Sequence, residues 1–127
     1  MSDAAERHIV SQPGEAIRAT GNAIALHEWS HGPMDGPPPH VHHFDDEAWY
    51  VLEGSLRFDV DGRTVDVGAG GCMFVPGGVP HTFGSPGNVR YLIVTTPRVL
   101  ALIDALHEEA ANDESAVYRK FDSEIIL

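Results

Sequence analysis

His40, His42, Glu47 and His81 are the residues whose types and spacing could do chemistry in this sequence. His40 and His42 stand two apart, so on an extended chain both imidazoles point to one face and His43 points to the other. Glu47 opens the next extended stretch, after the turn residues Phe44, Asp45 and Asp46, and His81 follows a later Pro/Gly turn. Three imidazoles and one carboxylate converging inside a barrel make a borderline-hard site for one divalent transition metal (Fe, Ni, Mn, Zn or Cu). Such a site leaves coordination positions for water and substrate. A lone His-x-His pair is more often a plain solvated strand face or a chance pair. His27, His31 and His107 read as structural histidines, and Asp45 and Asp46 as solvated turn residues.

The elements that must position these residues are short strands between Gly/Pro turns. Asn22 to Trp29 reads as a strand, with Ile24, Leu26 and Glu28 on one face and Ala23, Ala25, His27 and Trp29 on the other. Gly32 to Pro39 is a loop stiffened by prolines. Glu47–Leu52 is rich in aromatic and β-branched residues, and Leu56, Phe58 and Val60 alternate with Arg57, Asp59 and Asp61. Asp61-Gly62 marks a hairpin, with Thr64–Val67 as its return strand. Cys72–Val75, His81–Phe83 and Val89–Thr95 complete the set. Many short strands with one buried face argue for an antiparallel sandwich or barrel, and closure removes exposed edges.

At Thr96-Pro97 the period changes. Thr96 can cap a helix with Pro97 in its first position, and Val99, Leu102, Ile103, Leu106 and Ala110 follow helical spacing until Asn112-Asp113 stops it. The apolar tail Ile125-Ile126-Leu127 should dock on its own barrel or on a second subunit. The chain thus divides into an N-terminal arm (1–20), a β-barrel (21–96) and a C-terminal helix and tail (97–127).

With 19 acidic and 8 basic side chains, the formal charge of −11 repels phosphate backbones and anionic lipid surfaces. Nucleic-acid and membrane partners are therefore not expected, though acidity alone names no partner; the small-molecule substrate expected here comes from the candidate metal site. A single cysteine, Cys72, permits no internal disulfide, and the first ten residues lack the apolar stretch of a signal peptide, so the expected compartment is the cytoplasm.

His40-Val41-His42, four residues, Glu47, six residues and Gly54 resembles the core of the first cupin motif. Gly70, five residues, Pro76-Gly77-Gly78, two residues and His81 resembles the second. Pro37-Pro38-Pro39 before the histidines and Tyr50-Val51-Leu52-Glu53-Gly54 after them are similar to the small, single-domain, quercetinase-like cupins. Two positions depart from the pattern: Met34 stands where the first motif usually has glycine, and Ser85 where the second usually ends in asparagine. The resemblance implies an all-β cupin jelly-roll barrel with a C-terminal α-helix, a metal held by His40, His42, Glu47 and His81, and a homodimer.

It also implies a pocket. Trp49 and Val51 share the face of Glu47, and Phe83 shares that of His81; each lines the pocket or fills the core. His27 and Glu53 are weaker polar candidates, whereas Arg57 alternates with Phe58 onto the outer face. The leading expectation is a dioxygenase-like enzyme acting on an enolic or aromatic substrate, with Glu47 as both ligand and base. The alternatives are a non-redox zinc cupin (a polyketide cyclase or an isomerase) and a small-molecule-binding module without turnover.

Overall fold

A computed structural model describes residues 9–108 and 113–126. Alternation of buried and exposed side chains builds two five-stranded antiparallel sheets that face each other. The first runs in the order β1 (Arg18–Thr20), β2 (Ala25–His31), β9 (Val89–Thr95), β4 (Glu47–Glu53) and β7 (Cys72–Val75). The second runs β10 (Ser123–Ile125), β3 (His40–His42), β8 (His81–Gly84), β5 (Ser55–Val60) and β6 (Arg63–Gly68). Between the sheets lies a core of Trp49, Val51, Leu56, Phe58, Val75, Val89, Tyr91 and Ile93. Full burial of each such side chain stabilises the fold by roughly 1.5–3 kcal/mol.

Two turns show the local chemistry directly. Asp61 and Gly62 both have positive φ, 51° and 78°, and close the two-residue hairpin between Val60 and Arg63. Gly54 has φ 77°, and a Cβ there would fall 2.2 Å from the Asn88 carbonyl oxygen, so no other residue fits. The two departures from the motif pattern turn out to be partners. Met34 and Ser85 form an isolated antiparallel bridge, exchanging backbone hydrogen bonds of 3.1 and 2.9 Å.

The ends of the chain differ from the sequence reading. Residues 18–20 of the expected arm form β1, in register with Ala25–His27 of β2. The strand expected from Asn22 starts instead at Ala25, because Gly21 and Ile24 close a turn with a 2.8 Å backbone bond. The expected helix is α1 (Pro97–Glu108), and the Thr96 hydroxyl accepts from the Val99 amide at 3.2 Å as the cap requires. Ala110 lies outside the described residues. A second helix, α2 (Glu114–Lys120), follows; Asp113, read as part of a stop, is its N-cap and accepts from the Ala116 amide. Leu102, Val117 and Tyr118 form a small second core with Ala105, Leu106, Phe121 and Ile125. The tail then docks on its own barrel as β10, pairing Ser123 with His42 and Ile125 with His40. No helix among the described residues is long and apolar enough to cross a membrane.

Candidate metal centre

Strand register brings the four residues together. His40 on β3 lies directly opposite His81 on β8, and His42 follows on the same face of β3. Glu47, the first residue of β4, reaches in from the other sheet. One donor atom from each of the four lies within 4.8 Å of the others, and all four residues are buried. Glu47 Oε1 is 2.7 Å from His42 Nε2 and 3.0 Å from His81 Nε2.

The outer nitrogens decide what the inner ones can do. His40 Nδ1 donates to the Pro38 carbonyl and His81 Nδ1 to the Val79 carbonyl, each at 2.9 Å. Ser123 donates its hydroxyl proton to the Phe121 carbonyl, so its oxygen accepts from His42 Nδ1 at 2.7 Å. A carbonyl can only accept, so each Nδ1 carries its hydrogen and each neutral ring turns a bare Nε2 inward. Bare nitrogens facing a carboxylate oxygen repel unless a proton or a metal ion lies between them. The cluster can hold a metal ion, and the donor set fits one.

In the metal-free chain a proton competes for those same inner nitrogens. Burial lowers the His40 pKa to about 4, and the neighbouring His81 and His42 rings push it the same way. Burial alone would raise Glu47, but hydrogen bonds from His42 and His81 outweigh it and hold the carboxyl at about 2. Burial likewise opposes protonation of His81, yet its contact with Glu47 raises its pKa above the usual histidine value.

The loops on either side of the ligands are tied to each other. Asp46 Oδ1 accepts from the Gly77 amide at 2.8 Å, and the Gly78 amide donates to the His42 carbonyl at 2.7 Å. A Cβ on Gly77 would sit 2.9 Å from the Phe44 backbone, so the turn before His81 packs against the loop before Glu47 only because it lacks a side chain. Asp45 corrects the sequence reading. It is no solvated turn residue but is buried, its carboxylate held by Arg98 of α1 at 2.8 and 3.1 Å. His43 points away to the exposed side, 3.6 Å from Glu124. Arg57 is exposed and paired with Asp66, and Glu53 is exposed beside Arg90.

A cavity of about 340 Å³ opens beside the cluster, with His40, His42 and Glu47 on its wall. Phe83, Tyr91 and Ile93 line it from the sheets, while Val99, Leu102, Ile103 and Leu106 of α1 and Tyr118 of α2 roof it. Of the other side chains expected along a pocket, Phe83 is on this wall. Trp49 and Val51 do face inward but sit in the filled core, where Trp49 packs its ring edge-on against Phe58 and His81. The Trp49 Nε1 hydrogen has no partner among the described residues. His27 lies behind the wall. Its Nδ1 accepts from Trp29 Nε1 at 2.6 Å and its Nε2 donates to the Thr95 hydroxyl at 3.0 Å. Burial, with Arg18 adding to it, keeps that ring neutral down to about pH 4.

Several wall residues carried no sequence signal. Trp29 lines the cavity and stacks on His107 of α1 with ring centroids 5.2 Å apart, so His107 is more than an isolated helix histidine. Tyr118 lies 5.3 Å from the His40 ring, and burial raises its pKa to about 12, which keeps its hydroxyl protonated. His31 and Tyr91 share a 2.9 Å hydrogen bond on the wall. Only the position of Asp113 before Glu114-Ser115-Ala116-Val117 hinted at the helix that delivers Tyr118.

Residues 27–95 match the Cupin_2 family model, a cupin domain. A 52-residue stretch is 44% identical to acetate kinase EutQ of Salmonella typhimurium, covering 41% of this chain and 23% of that protein. The corresponding Clostridioides difficile protein is matched over 33% of its length, so this chain spans only a minor part of these curated relatives. An uncharacterised protein of Streptomyces coelicolor is 29% identical over 82 residues, which cover 64% of this chain and 75% of that one. Among solved structures, the polyketide cyclase RemF from Streptomyces resistomycificus superposes with a TM-score of 0.54 at 32% identity, covering 68% of this chain and 70% of RemF.

Proposed function

This chain belongs to the Cupin_2 family of cupin domains, and from that premise we propose that it is a metal-dependent enzyme acting on a small, planar, enolic or aromatic substrate. The observation that carries this reading is the buried cluster of three histidines and one glutamate opening onto a roofed, largely apolar cavity. A metal ion held by His40, His42, Glu47 and His81 supplies Lewis-acid polarisation and, if it is iron, manganese or nickel, redox chemistry with dioxygen.

The chain's own residues supply the rest. Phe83, Ile93 and Leu102 bind the apolar body of the substrate. The α1 and α2 roof excludes water, which strengthens every electrostatic interaction inside. Glu47, ionised at neutral pH, is the base for an enol as it enters, its low pKa favouring the more acidic substrates, and the Tyr118 hydroxyl donates to the oxygen left behind. Two reaction classes fit this binding mode. Oxygenation follows from a redox-active metal. Non-oxidative ring closure or isomerisation follows from zinc, and the likeness to RemF favours it.

The deciding experiment is elemental mass spectrometry of protein purified without added metal, beside the His81→Ala variant. About one divalent metal per chain, lost in the variant, is expected. Iron, manganese or nickel with oxygen uptake on phenols and enols supports oxygenation; zinc with oxygen-independent turnover supports ring closure. A chain that takes up no metal even after reconstitution removes the mechanism.

The expected macromolecular partner is a second copy of the chain. Its support is the outer face of the first sheet, where Leu26, Val94, Ala48 and Phe74 stand in register across four strands. Phe74 is 60% exposed and Ile24, which lines the same shallow surface depression, 62%, an apolar patch of the kind that marks an interface.

A further inference from the structure

The cavity wall holds one polar pair away from the metal ligands. His31 ends β2 and Tyr91 sits on β9, diagonal neighbours on the same face because His31 is in register with Val89 and Trp29 with Tyr91. The Tyr91 ring contacts His31 and Phe83 but none of the three cluster imidazoles. Tyr91 is only 3% exposed, and its hydroxyl is 2.9 Å from His31 Nε2. His31 Nδ1 is 2.8 Å from the Gly32 carbonyl oxygen.

These two bonds set a direction. The Gly32 carbonyl can only accept, so Nδ1 carries the hydrogen and the neutral ring offers a bare Nε2. The Tyr91 hydroxyl must therefore donate to His31, which leaves the phenol oxygen with lone pairs and no proton to give. Tyr91 lies on the cavity wall, with the apolar Phe83, Ile93 and Trp29 among its other lining residues. The remaining polar wall groups lie elsewhere: His107 and Glu114 are exposed, and Tyr118 is beside His40.

We infer that the cavity selects substrates carrying a second polar group, a hydroxyl or amine hydrogen-bond donor, received by the Tyr91 oxygen while His31 holds the tyrosine proton away. The inference rests on the proposed metal-dependent function and narrows its substrate class: a planar molecule with an acidic oxygen for the metal end and a donor at the Tyr91 end. An analogue with a methoxy group at that second position presents two oxygens to each other with no hydrogen between them. Site-built acceptors reject such analogues because a buried polar atom is left unpaired. Tyr91 is thus a specificity residue and His31 the positioning residue behind it.

The test uses the zinc-loaded full chain and isothermal calorimetry with naphthol, a set of naphthalenediols and their monomethyl ethers. The expected result is at least one diol binding roughly 3- to 10-fold more tightly than its ether, the range of one neutral hydrogen bond. In Tyr91→Phe the preference falls to within roughly twofold. His31→Ala gives the readout that a merely structural role would not move. Its tyrosine proton is released, so the ether gains on the diol and the preference shrinks or reverses. Equal binding of every diol and ether by the wild type, or a preference that survives Tyr91→Phe, overturns the inference while metal-dependent binding leaves the proposed function standing. Failure of all probes to bind, or binding unaffected by removal of zinc, overturns the proposed function and this inference with it.

Discussion

Removing the hydroxyl of Ser123 should weaken metal binding without touching a ligand. Of the three groups that hold the outer nitrogens, two are backbone carbonyls, of Pro38 and Val79, which no side-chain substitution deletes. The third is the Ser123 oxygen, 2.7 Å from His42 Nδ1 and itself oriented by donation to the Phe121 carbonyl at 3.1 Å. In Ser123→Ala the His42 hydrogen loses its acceptor, and the ring gains by moving that hydrogen to Nε2, where Glu47 Oε1 lies 2.7 Å away. Nε2 is the nitrogen a metal needs, so binding must then displace a proton and break that hydrogen bond. Loss of such an outer partner typically costs roughly 10- to 100-fold in metal affinity. That range corresponds to about 1.4–2.8 kcal/mol. Competition for zinc against a chromophoric chelator measures it, with Ser85→Ala as control, since the Ser85 hydroxyl bonds the Gly32 carbonyl far from the cluster. A dissociation constant for Ser123→Ala within about twofold of wild type would refute the claim that β10 sets the tautomer of His42.

Other expectations follow from the same geometry. His40→Ala and His42→Ala should lose metal as His81→Ala does, whereas His43→Ala, on the exposed side, should retain about one equivalent by elemental analysis. Arg98→Ala leaves the Asp45 carboxylate buried without its partner; because Arg98 is itself 39% exposed, the cost should be about 1–2 kcal/mol, read from urea denaturation, and an unchanged midpoint would contradict it. His27 and His40 titrate near pH 4 in the folded chain but near 6.5 unfolded, so the unfolded chain binds more protons between those limits. The metal-free protein should therefore lose stability as the pH falls from about 6.5 toward 4, while the contribution of His81, complete below about 6.5, is lost as the pH rises through its raised folded value, so stability peaks near 6.5. A pH-independent urea midpoint over that window would count against this. Phe74→Glu should convert a dimer to a monomer by light scattering at micromolar concentration, and a wild type that is already monomeric would remove the proposed interface.

Much of the barrel was legible because period-two alternation and Gly/Pro turns are local signals. Val89–Thr95 and the Asp61-Gly62 hairpin coincide with their sequence reading for that reason. The histidine–glutamate cluster was legible because its spacing is partly local: His40 and His42 share a face by pleat alone, and the motif pattern added Glu47 and His81. What failed to show depends on long-range register. β1 is three residues long and exists only through pairing with β2, and β10 only through pairing with β3. Asp45 looked like a turn residue because nothing in its neighbourhood announces that Arg98, far along the chain, will close over it. The cavity wall was the least readable part, since Tyr91, Trp29 and Tyr118 look like ordinary core residues until α1 and α2 are laid across the barrel mouth.

The contribution of the C-terminal segment has a consequence in time. During synthesis all four ligands leave the ribosome before Tyr118 and Ser123 do, because the order of elements puts α2 and β10 after the barrel. A barrel folded before those elements dock would present an open-mouthed histidine cluster, reachable by a hydrated ion. Metal loading would belong naturally to that interval, and a chain proteolytically cut between α1 and α2 would return to it, exchanging metal faster than the finished protein.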